Sequence, residues 1–530
     1  MGFLTSMRPH RTAAATVALA AVALVAYGPS LFNGFVWDDE AIVVTNPDTR
    51  DIGTLPRVVL SPDEFPPYYR PLTRASFLLD YQLFGMDPRG FHAINVLIHV
   101  GAVLALWALG LRFFETRAPA FVAALLLAVH PINAEAVNFI TGRNNALAAM
   151  FALLAVVLLI DADRRKSWAL SCASGVAFFL GLLAKEPAVM ALPVMIAWLA
   201  FPRAFGRERR GSFVRLAPHA VAVAVYAAMR YVALGGFVGS TQASGGGSLA
   251  ARLLLNGYTV PRSLSLIFLP RDLAIFHPIP ATFPVPVLVL GWAAIGVATF
   301  YVLARPAPAS TFGVLWFALN LLPIANIVAI PSTSLIAERY LYAPAIGLWL
   351  IAAEISRRLA RRVGRRWVVA ACCIAGGALL VFAWERTRDW HDDFTLATSA
   401  VRAEPTSAEA HFNLGVVLKD RGDLGGARGE WDTTLRLDPT HARALVQRGT
   451  ASAVAGDLHT AEDDLLRGIA IDRDIAIGHF NLARIYELTD RRSGAIREYS
   501  EFLNTSRSPR EAPLVARARE RVAALALTPH

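Results

Sequence analysis

Long apolar runs separated by short polar segments dominate the chain as far as Glu385. A membrane-spanning helix needs about 20 mostly apolar residues. Runs that reach or approach this length predict spans at Thr12–Phe32, 94–113, 118–129, 146–160, 168–183, 188–201, Phe213–Leu234, 285–303, 312–330, 341–355 and 368–383. The pattern predicts an all-α, polytopic membrane helix bundle over residues 1–384.

One further apolar segment, 253–269, carries Asn256, Arg262 and several serines. These polar residues favour a re-entrant or interfacial segment over a full crossing. Excluding it gives eleven spans. We also expect the first span to be an uncleaved helix, because the apolar stretch is long and no clear small-residue cleavage site follows.

Arginine-rich loops orient the bundle. The loops 161–166, 202–215 and 356–366 carry much of the excess positive charge, which is typical of cytoplasmic loops. The formal charge of +10 therefore does not indicate a nucleic-acid partner. Threading the spans from a cytoplasmic N-terminus places the tail after Glu385 in the periplasm.

Composition supports this class. Hydrophobic residues make up 55% of the 530 residues, which is high for a soluble domain. Abundant Ala and Arg with three lysines suggest a bacterial chain, hence an inner-membrane location. The three cysteines have neither a disulfide nor a metal-site spacing.

The tail repeats itself without gaps in three blocks of equal length, 405–438, 439–472 and 473–506. A period of about 34 residues is typical of tetratricopeptide (TPR) helix pairs, whose concave groove binds other proteins. Gly422 and Gly456 occupy the turn of the first two blocks, and Asp490 the third. We predict a linker at 385–404, three repeats at 405–506, and a capping helix with tail at 507–530.

Polar and charged clusters all fall on the outer side of the predicted bundle. They lie at 37–40, 69–71, 92, 130–135, 142–145, 185–186, 277–278 and 337–340. Charges that abut membrane helices are costly and usually functional. The alternative is that they only anchor helix ends.

Three adjacent carboxylates, Asp38, Asp39 and Glu40, open the long first outer loop (33–92). Mutual repulsion raises the pKa of at least one, and such a group can act as a general base on a hydroxyl. A solvated acidic turn or a helix cap is the alternative reading.

Three cations near outer helix ends, Arg143, Lys185 and Arg339, suit a lipid-linked phosphate. Structural pairs of Lys185 with Glu186, and of Glu338 with Arg339, are equally compatible. His130 before Pro131 fits a helix end.

An ordered set of short motifs extends over nearly the whole chain. The motifs are Trp37-Asp38-Asp39-Glu40, Tyr69-Arg70-Pro71-Leu72-Thr73, Gly90-Phe91-His92, His130-Pro131 with Glu135, Gly142-Arg143, Lys185-Glu186, Glu338-Arg339-Tyr340-Leu341-Tyr342 and Thr387-Arg388-Asp389-Trp390. Their order resembles the transmembrane-and-TPR-containing O-mannosyltransferases, a family of the GT-C glycosyltransferases.

The resemblance implies an inverting transfer of a sugar, with mannose as the candidate, from a polyprenyl-phosphate donor to a hydroxyl, with protein Ser/Thr as the candidate acceptor. It implies Asp38 or Asp39 as the base, no cofactor and no divalent metal. The candidate donor- and substrate-binding residues are Glu40, Arg70, His92, His130, Glu135, Arg143, Lys185, Glu186, His277, Glu338, Arg339 and Tyr342.

The chain also departs from the family pattern. The family usually places an acid two residues after the Gly-Arg motif, where this chain has Asn145 following Asn144. The central region 201–258 is shorter and the repeats are fewer. Two other functions remain open: a non-catalytic scaffold that recruits envelope enzymes through its TPR tail, and a lipid-linked sugar transporter. A transporter should carry polar residues on both faces.

Overall fold

The computed structural model describes residues 9–63, 68–236, 249–278, 285–304, 306–325, 336–506 and 511–527. These residues are almost entirely helical, which confirms the all-α prediction. The chain divides into two compact units, Met1–Leu396 and Ala397–His530. The boundary lies inside the segment predicted to be a linker.

The first unit is a bundle of helices that we number in chain order. They are α1 (Pro9–Tyr27), α2 (Leu55–Leu60), α3 (Pro71–Phe84), α4 (Pro88–Phe113), α5 (Arg117–Val129), α6 (Ala134–Asn138), α7 (Arg143–Arg165), α8 (Trp168–Ala184), α9 (Ala191–Ala200), α10 (Ala217–Leu234), α11 (Leu249–Phe268), α12 (Val285–Ala304), α13 (Pro308–Leu321), α14 (Glu338–Val363), α15 (Arg365–Asp389) and α16 (Asp393–Ala403), the last of which extends past the unit boundary.

The protein is a multi-pass membrane protein. Among the described residues, five helices are long and apolar enough to cross a membrane, and six if α5 and the helix after it, bent by 52°, form one broken span. The predicted number of eleven spans is thus not confirmed. Large apolar side chains such as Ile374 (75% exposed) and Val221 (62% exposed) face outward, as expected for a lipid-facing surface.

The segment 253–269 forms most of α11, which is one continuous helix with Pro261 inside it. Because the helix is continuous, the chain does not reverse direction within it, as a re-entrant segment would. An interfacial placement of this segment stays a prediction. Residues 326–330 of the predicted span 312–330 lie outside the described part of the chain.

Close backbone contact joins α13 and α14. A methyl group added at Gly313 would lie 2.4 Å from the Gly347 carbonyl oxygen, and one added at Gly347 would lie 2.3 Å from the Gly313 oxygen. Small residues allow this approach, as is common between membrane helices. The Trp316 indole N–H donates to the Ala343 carbonyl at 2.8 Å across the same contact. The contact holds the start of α14, which carries Glu338 and Arg339, against the bundle.

The second unit contains the three predicted TPR repeats, each a pair of helices. They are α17 (Ala408–Asp420) with α18 (Leu424–Leu437), α19 (Ala442–Val454) with α20 (Leu458–Ile471), and α21 (Ala476–Leu488) with α22 (Arg492–Thr505). Corresponding helices begin 34 residues apart, which confirms the period. The predicted capping helix is α23 (Ala512–Leu527). The segment 385–404 is largely helical, since α15 and α16 cover most of it.

Equivalent positions of the three repeats form equivalent contacts. Trp431, Leu465 and Tyr499 are all buried in the repeat cores. A methyl group at Gly415 would lie 2.4 Å from the Trp431 indole nitrogen, so the first helix pair requires a glycine there.

The turn positions also follow the sequence pattern. Gly422 and Gly456 have φ of +87° and +85°, and Asp490, the equivalent residue of the third repeat, has φ of +57°. A left-handed conformation is easy for glycine and strained for other L-residues. The third turn is therefore less favourable than the first two.

Replacing Asp490 by glycine should stabilise the third repeat. We expect slower hydrogen exchange of the α21–α22 amides in the full protein, equivalent to about 0.5–1 kcal/mol, because the relief of strain outweighs the entropy that glycine adds to the unfolded chain. The reverse change, Gly456→Asp, is the matched control and should accelerate exchange in the second repeat. Unchanged or faster exchange in Asp490→Gly would contradict the argument.

Candidate active site

A strained turn presents the first two carboxylates. Trp37 has φ of +56°, which is unusual for a residue with a bulky side chain. Its ring stacks on Phe139 at 5.3 Å between centroids and meets Phe276 edge-on at 5.5 Å. Its backbone N–H donates to the Asp393 carboxylate at 2.7 Å. These contacts hold the turn in place.

Asp39 points into the protein. It is fully buried, and its carboxylate accepts backbone N–H bonds from Thr141 at 2.9 Å and Val36 at 3.2 Å. Burial raises the pKa of Asp39 to about 7, and the two backbone hydrogen bonds oppose that rise. Asp39 therefore ties the turn to the segment before α7.

Asp38 lies on the accessible side of the same turn. It is half-buried, and within the described part of the chain its carboxylate accepts no hydrogen bond. Burial raises the pKa of Asp38, while the Arg339 charge lowers it. Of the two predicted bases, Asp38 is the more accessible one.

Three cations, Arg70, Lys185 and Arg339, form what we call the cation cluster. The charges of Arg70 and Arg339 act on Lys185, and the charge of Arg339 also acts on Asp38. The Lys185 ammonium and the Arg339 guanidinium both lie 4.9 Å from the centre of the Tyr340 ring. Burial lowers the pKa of Lys185 well below its usual range, and the like charges of Arg70 and Arg339 lower it further. Positive charges held this close favour an anionic ligand.

Two predicted carboxylates pair with arginines of the cluster. Glu135 accepts from the Arg339 backbone N–H at 2.8 Å and pairs with its guanidinium. Glu186 lies 3.0 Å from Arg230 and 3.5 Å from Arg70. Arg339 also stands over the Trp37 ring at 5.5 Å, so it connects the strained turn to the cluster.

Lys185 has a neutral partner. Its ammonium donates to the Asn145 side-chain oxygen at 2.5 Å. Asn145 occupies the position where the family pattern places an acid, so this chain has an amide in contact with the lysine.

Arg143 is not part of this cluster. It is completely buried, and it donates to Asn95 at 2.6 Å, to Ser76 at 2.9 Å and to the Phe91 carbonyl at 3.0 Å. Its guanidinium also lies 2.6 Å from the Asp80 carboxylate. All three of its nitrogens contact protein groups, so the geometry favours a structural role that ties α7 to α3 and α4.

The predicted histidines are packed into the bundle. His92 Nε2 lies 3.3 Å from the Gly34 carbonyl oxygen. His130 accepts from the Ile132 N–H at 3.2 Å, which is a helix-end contact, and its ring packs on Trp349. The alternative reading of His130 as a helix-end residue matches this geometry.

A second buried network lies at the start of α14. The Glu338 carboxylate is 3.3 Å from Arg386 and 3.8 Å from His277. The pair of Glu338 with Arg339 considered from the sequence is thus replaced by one with Arg386, because Arg339 turns toward Glu135. Tyr342 faces the bundle interior, where its hydroxyl lies 2.8 Å from His99 Nδ1.

Glu40 is exposed, and within the described part of the chain it forms no ion pair with the cation cluster. Among the described residues, no group of three or more His, Cys, Asp or Glu side chains is arranged to hold a metal ion. Metal-independent chemistry stays a prediction.

A small pocket with room for about one water molecule adjoins Tyr340 and is lined by residues of α11, the end of α13 and the start of α14. Its polar wall is internally bonded, since Thr259 donates to Asn256 and Ser263 donates to the Thr259 carbonyl. Leu321, Ile324 and Leu341 line the rest with other apolar residues. The pocket is far smaller than the roughly 300–1,000 Å³ of a typical small-ligand site.

Sequence reasoning did not identify several partners that define these sites. They are Asp80, Arg230, Arg386 and the ring of Tyr340. Arg230 carries a weak signal, because it is the lone Asp, Glu, Lys or Arg of an otherwise apolar helix, whereas Asp80 shares α3 with Arg74. Only the packing shows which charges they meet.

Known proteins resemble this chain over most of its length. Residues 71–231 match the family model of dolichyl-phosphate-mannose-protein mannosyltransferases. A protein O-mannosyl-transferase of Caenorhabditis elegans is 28% identical over 80% of this chain and 62% of its own length. The human protein O-mannosyl-transferase TMTC1 is 26% identical over 83% of this chain and 57% of its own length.

The chain spans about three-fifths of the length of these relatives. Among solved structures, the oligosaccharyltransferase of Archaeoglobus fulgidus aligns with 72% of this chain and 56% of its own, at 14% identity and a TM-score of 0.41. The sequence matches confirm the resemblance drawn from the ordered motifs: the chain is a relative of the transmembrane-and-TPR-containing O-mannosyltransferases.

Proposed function

We propose that this protein is an integral-membrane glycosyltransferase. It transfers a sugar, with mannose as the first candidate, from a polyprenyl-phosphate donor to a hydroxyl acceptor at the outer face of a bacterial inner membrane. The observation that carries the proposal is the placement of Asp38 next to Arg339, a member of the cation cluster. A base and a phosphate-binding surface are then in one site. The named activities of the relatives support the same reaction class.

The cation cluster accounts for the leaving group. Arginine binds phosphate oxygens in a planar, bidentate way, and lysine acts as a point charge. Arg339 and Lys185, each 4.9 Å from the centre of the Tyr340 ring, would hold the phosphate.

The chemical step needs one proton transfer and one displacement. The acceptor hydroxyl gives its proton to the Asp38 carboxylate while its oxygen forms a bond to the anomeric carbon. The bond from that carbon to the phosphate oxygen breaks, and its electron pair leaves with the lipid phosphate. Attack from the face opposite the phosphate inverts the anomeric configuration. Fixed cations stabilise the departing charge without reorganisation.

The TPR unit has a separate role in this proposal. Helical repeats bind polypeptides in their concave groove. We propose that the groove binds the acceptor protein or a partner that delivers it, which fits protein Ser/Thr as acceptor. No nucleic-acid partner and no cofactor are part of the proposal.

The test uses inner-membrane vesicles that contain the full chain and a radiolabelled polyprenyl-phosphate sugar. We expect label in the protein or glycan fraction with wild type and none with the Asp38→Asn variant at equal protein level. A lack of transfer by wild type with every donor sugar supplied would overturn the enzyme proposal and favour a TPR scaffold.

A further inference from the structure

Among the described residues, the buried side chain of Lys185 has no ionised partner of its own. Only 8% of its surface is exposed, and its ammonium contacts the neutral Asn145 oxygen at 2.5 Å and the Tyr340 ring at 4.9 Å. Within the described residues it forms no salt bridge. A buried amine without a counter-charge tends to lose its proton, so Lys185 needs a counter-charge in order to stay ionised.

The nearest carboxylates are already engaged. Glu135 pairs with Arg339, and Glu186 is shared by Arg230 and Arg70. Both contribute a general negative potential at Lys185, but neither makes direct contact with its ammonium. The counter-charge must therefore come from outside this set of side chains.

The Asn145 amide is locked in one orientation. Its two N–H groups donate to the Gly142 carbonyl at 3.0 Å and to the Asn144 side-chain oxygen at 2.8 Å. Turning the amide over would lose both bonds and direct an N–H at the ammonium. Its oxygen therefore acts as a neutral acceptor that positions Lys185 without neutralising it.

We propose that Asn145 is a positioning residue that keeps the Lys185 ammonium uncompensated, so that the phosphate of the lipid-linked donor completes the ion pair. This inference rests on the proposed function. An aspartate in the same place would supply a permanent internal counter-charge and compete with the phosphate. The asparagine thus sets the affinity for a monophosphate donor rather than the chemistry of transfer.

The experiment compares Asn145→Asp with Asn144→Asp, a control that adds the same charge one residue away from the lysine contact and keeps an acceptor oxygen for the Asn145 N–H. We measure binding of a short-chain polyprenyl monophosphate to the full, detergent-solubilised chain, and the kcat and KM for the labelled donor. Asn145→Asp should weaken lipid-phosphate binding and raise the donor KM by about 10- to 100-fold with little change in kcat. Asn144→Asp should change either value much less.

A double-mutant cycle shows whether the effect runs through the lysine. In a Lys185→Gln background, Asn145→Asp should have little further effect on lipid-phosphate binding. Three results would each overturn the inference. Asn145→Asp could bind the lipid phosphate as tightly as wild type, or Asn144→Asp could lose as much affinity as Asn145→Asp. In the Lys185→Gln background, Asn145→Asp could lower the affinity as much as it does in wild type. Binding of the lipid phosphate is measured without a sugar, so a failure of this inference is distinguishable from a failure of the proposed function. Only an absence of sugar transfer would overturn the proposed function.

Discussion

Replacing Asp38 by asparagine is expected to abolish sugar transfer while the protein stays folded. An amide cannot take the acceptor proton, and loss of a general base lowers kcat by about 10²- to 10⁴-fold. Because the Asp38 carboxylate is half-buried and accepts no hydrogen bond from the described residues, the change leaves the fold intact. Transfer into acceptor and the thermal unfolding temperature should both be measured on the same membrane preparations.

Replacing Asp39 by asparagine should give a different result. One of the backbone N–H groups, from Thr141 or Val36, would then face an amide N–H in a buried place. An unsatisfied buried donor costs about 1–3 kcal/mol, so the variant should unfold at a lower temperature and lose activity together with stability.

Asp51→Asn is the control for charge in the same loop. Asp51 is exposed and caps a short helical turn by accepting from the Gly53 N–H, a role that asparagine fills equally well. It should transfer sugar like wild type. A fully active Asp38→Asn variant would contradict the assignment of the base, and an active Asp39→Asn variant with normal stability would contradict the structural role of Asp39.

The wild-type rate should also rise with pH as the base ionises. Burial raises the pKa of Asp38, so the acid side of the rate profile should lie above the range of an ordinary aspartate. If the midpoint of the pH–rate profile lies in the range of an ordinary aspartate, the base is more exposed to solvent than Asp38 is, and the prediction is wrong.

The sequence predicts which side of the bundle bears the polar residues but not how they pair. In the sequence, the three cations Arg143, Lys185 and Arg339 look alike, because each lies near a loop. In the structure, Arg143 pairs with Asp80 and makes three hydrogen bonds, whereas Lys185 and Arg339 both contact the Tyr340 ring. Pairing depends on the packing of α3, α4, α7 and α14, which brings together residues far apart in the chain. Periodicity carries no information on such contacts.

The TPR unit is predicted in more detail because its contacts are local and repeat. A constant period aligns Asp490 with Gly422 and Gly456, so even its positive φ follows from the sequence. Counting spans is less certain, since several apolar helices are shorter than a membrane crossing. Examples are Trp168–Ala184 and Pro308–Ile324.

The role of Arg143 leads to the second large expected effect. Replacing Asp80 by asparagine keeps the shape of the side chain but leaves the Arg143 guanidinium without its charged partner in a fully buried place. Breaking a buried ion pair in this way destabilises proteins by about 3–5 kcal/mol. We expect a markedly lower unfolding temperature in detergent and an unchanged donor KM in the protein that remains folded.

Two further variants separate structure from phosphate binding. Asp87→Asn, at an exposed cap of α4 whose contact with the Arg89 N–H asparagine can keep, should leave the unfolding temperature unchanged. The double variant Arg143→Met/Asp80→Leu should recover part of the stability lost in Asp80→Asn, because removing both charges leaves neither one buried alone.

If Arg143 instead binds the donor phosphate, Asp80→Asn should alter the donor KM without lowering stability, and Arg143→Met/Asp80→Leu should be stable but raise the donor KM. The two roles predict opposite results in both variants, so these measurements decide whether the phosphate site ends at the cation cluster or extends to α7.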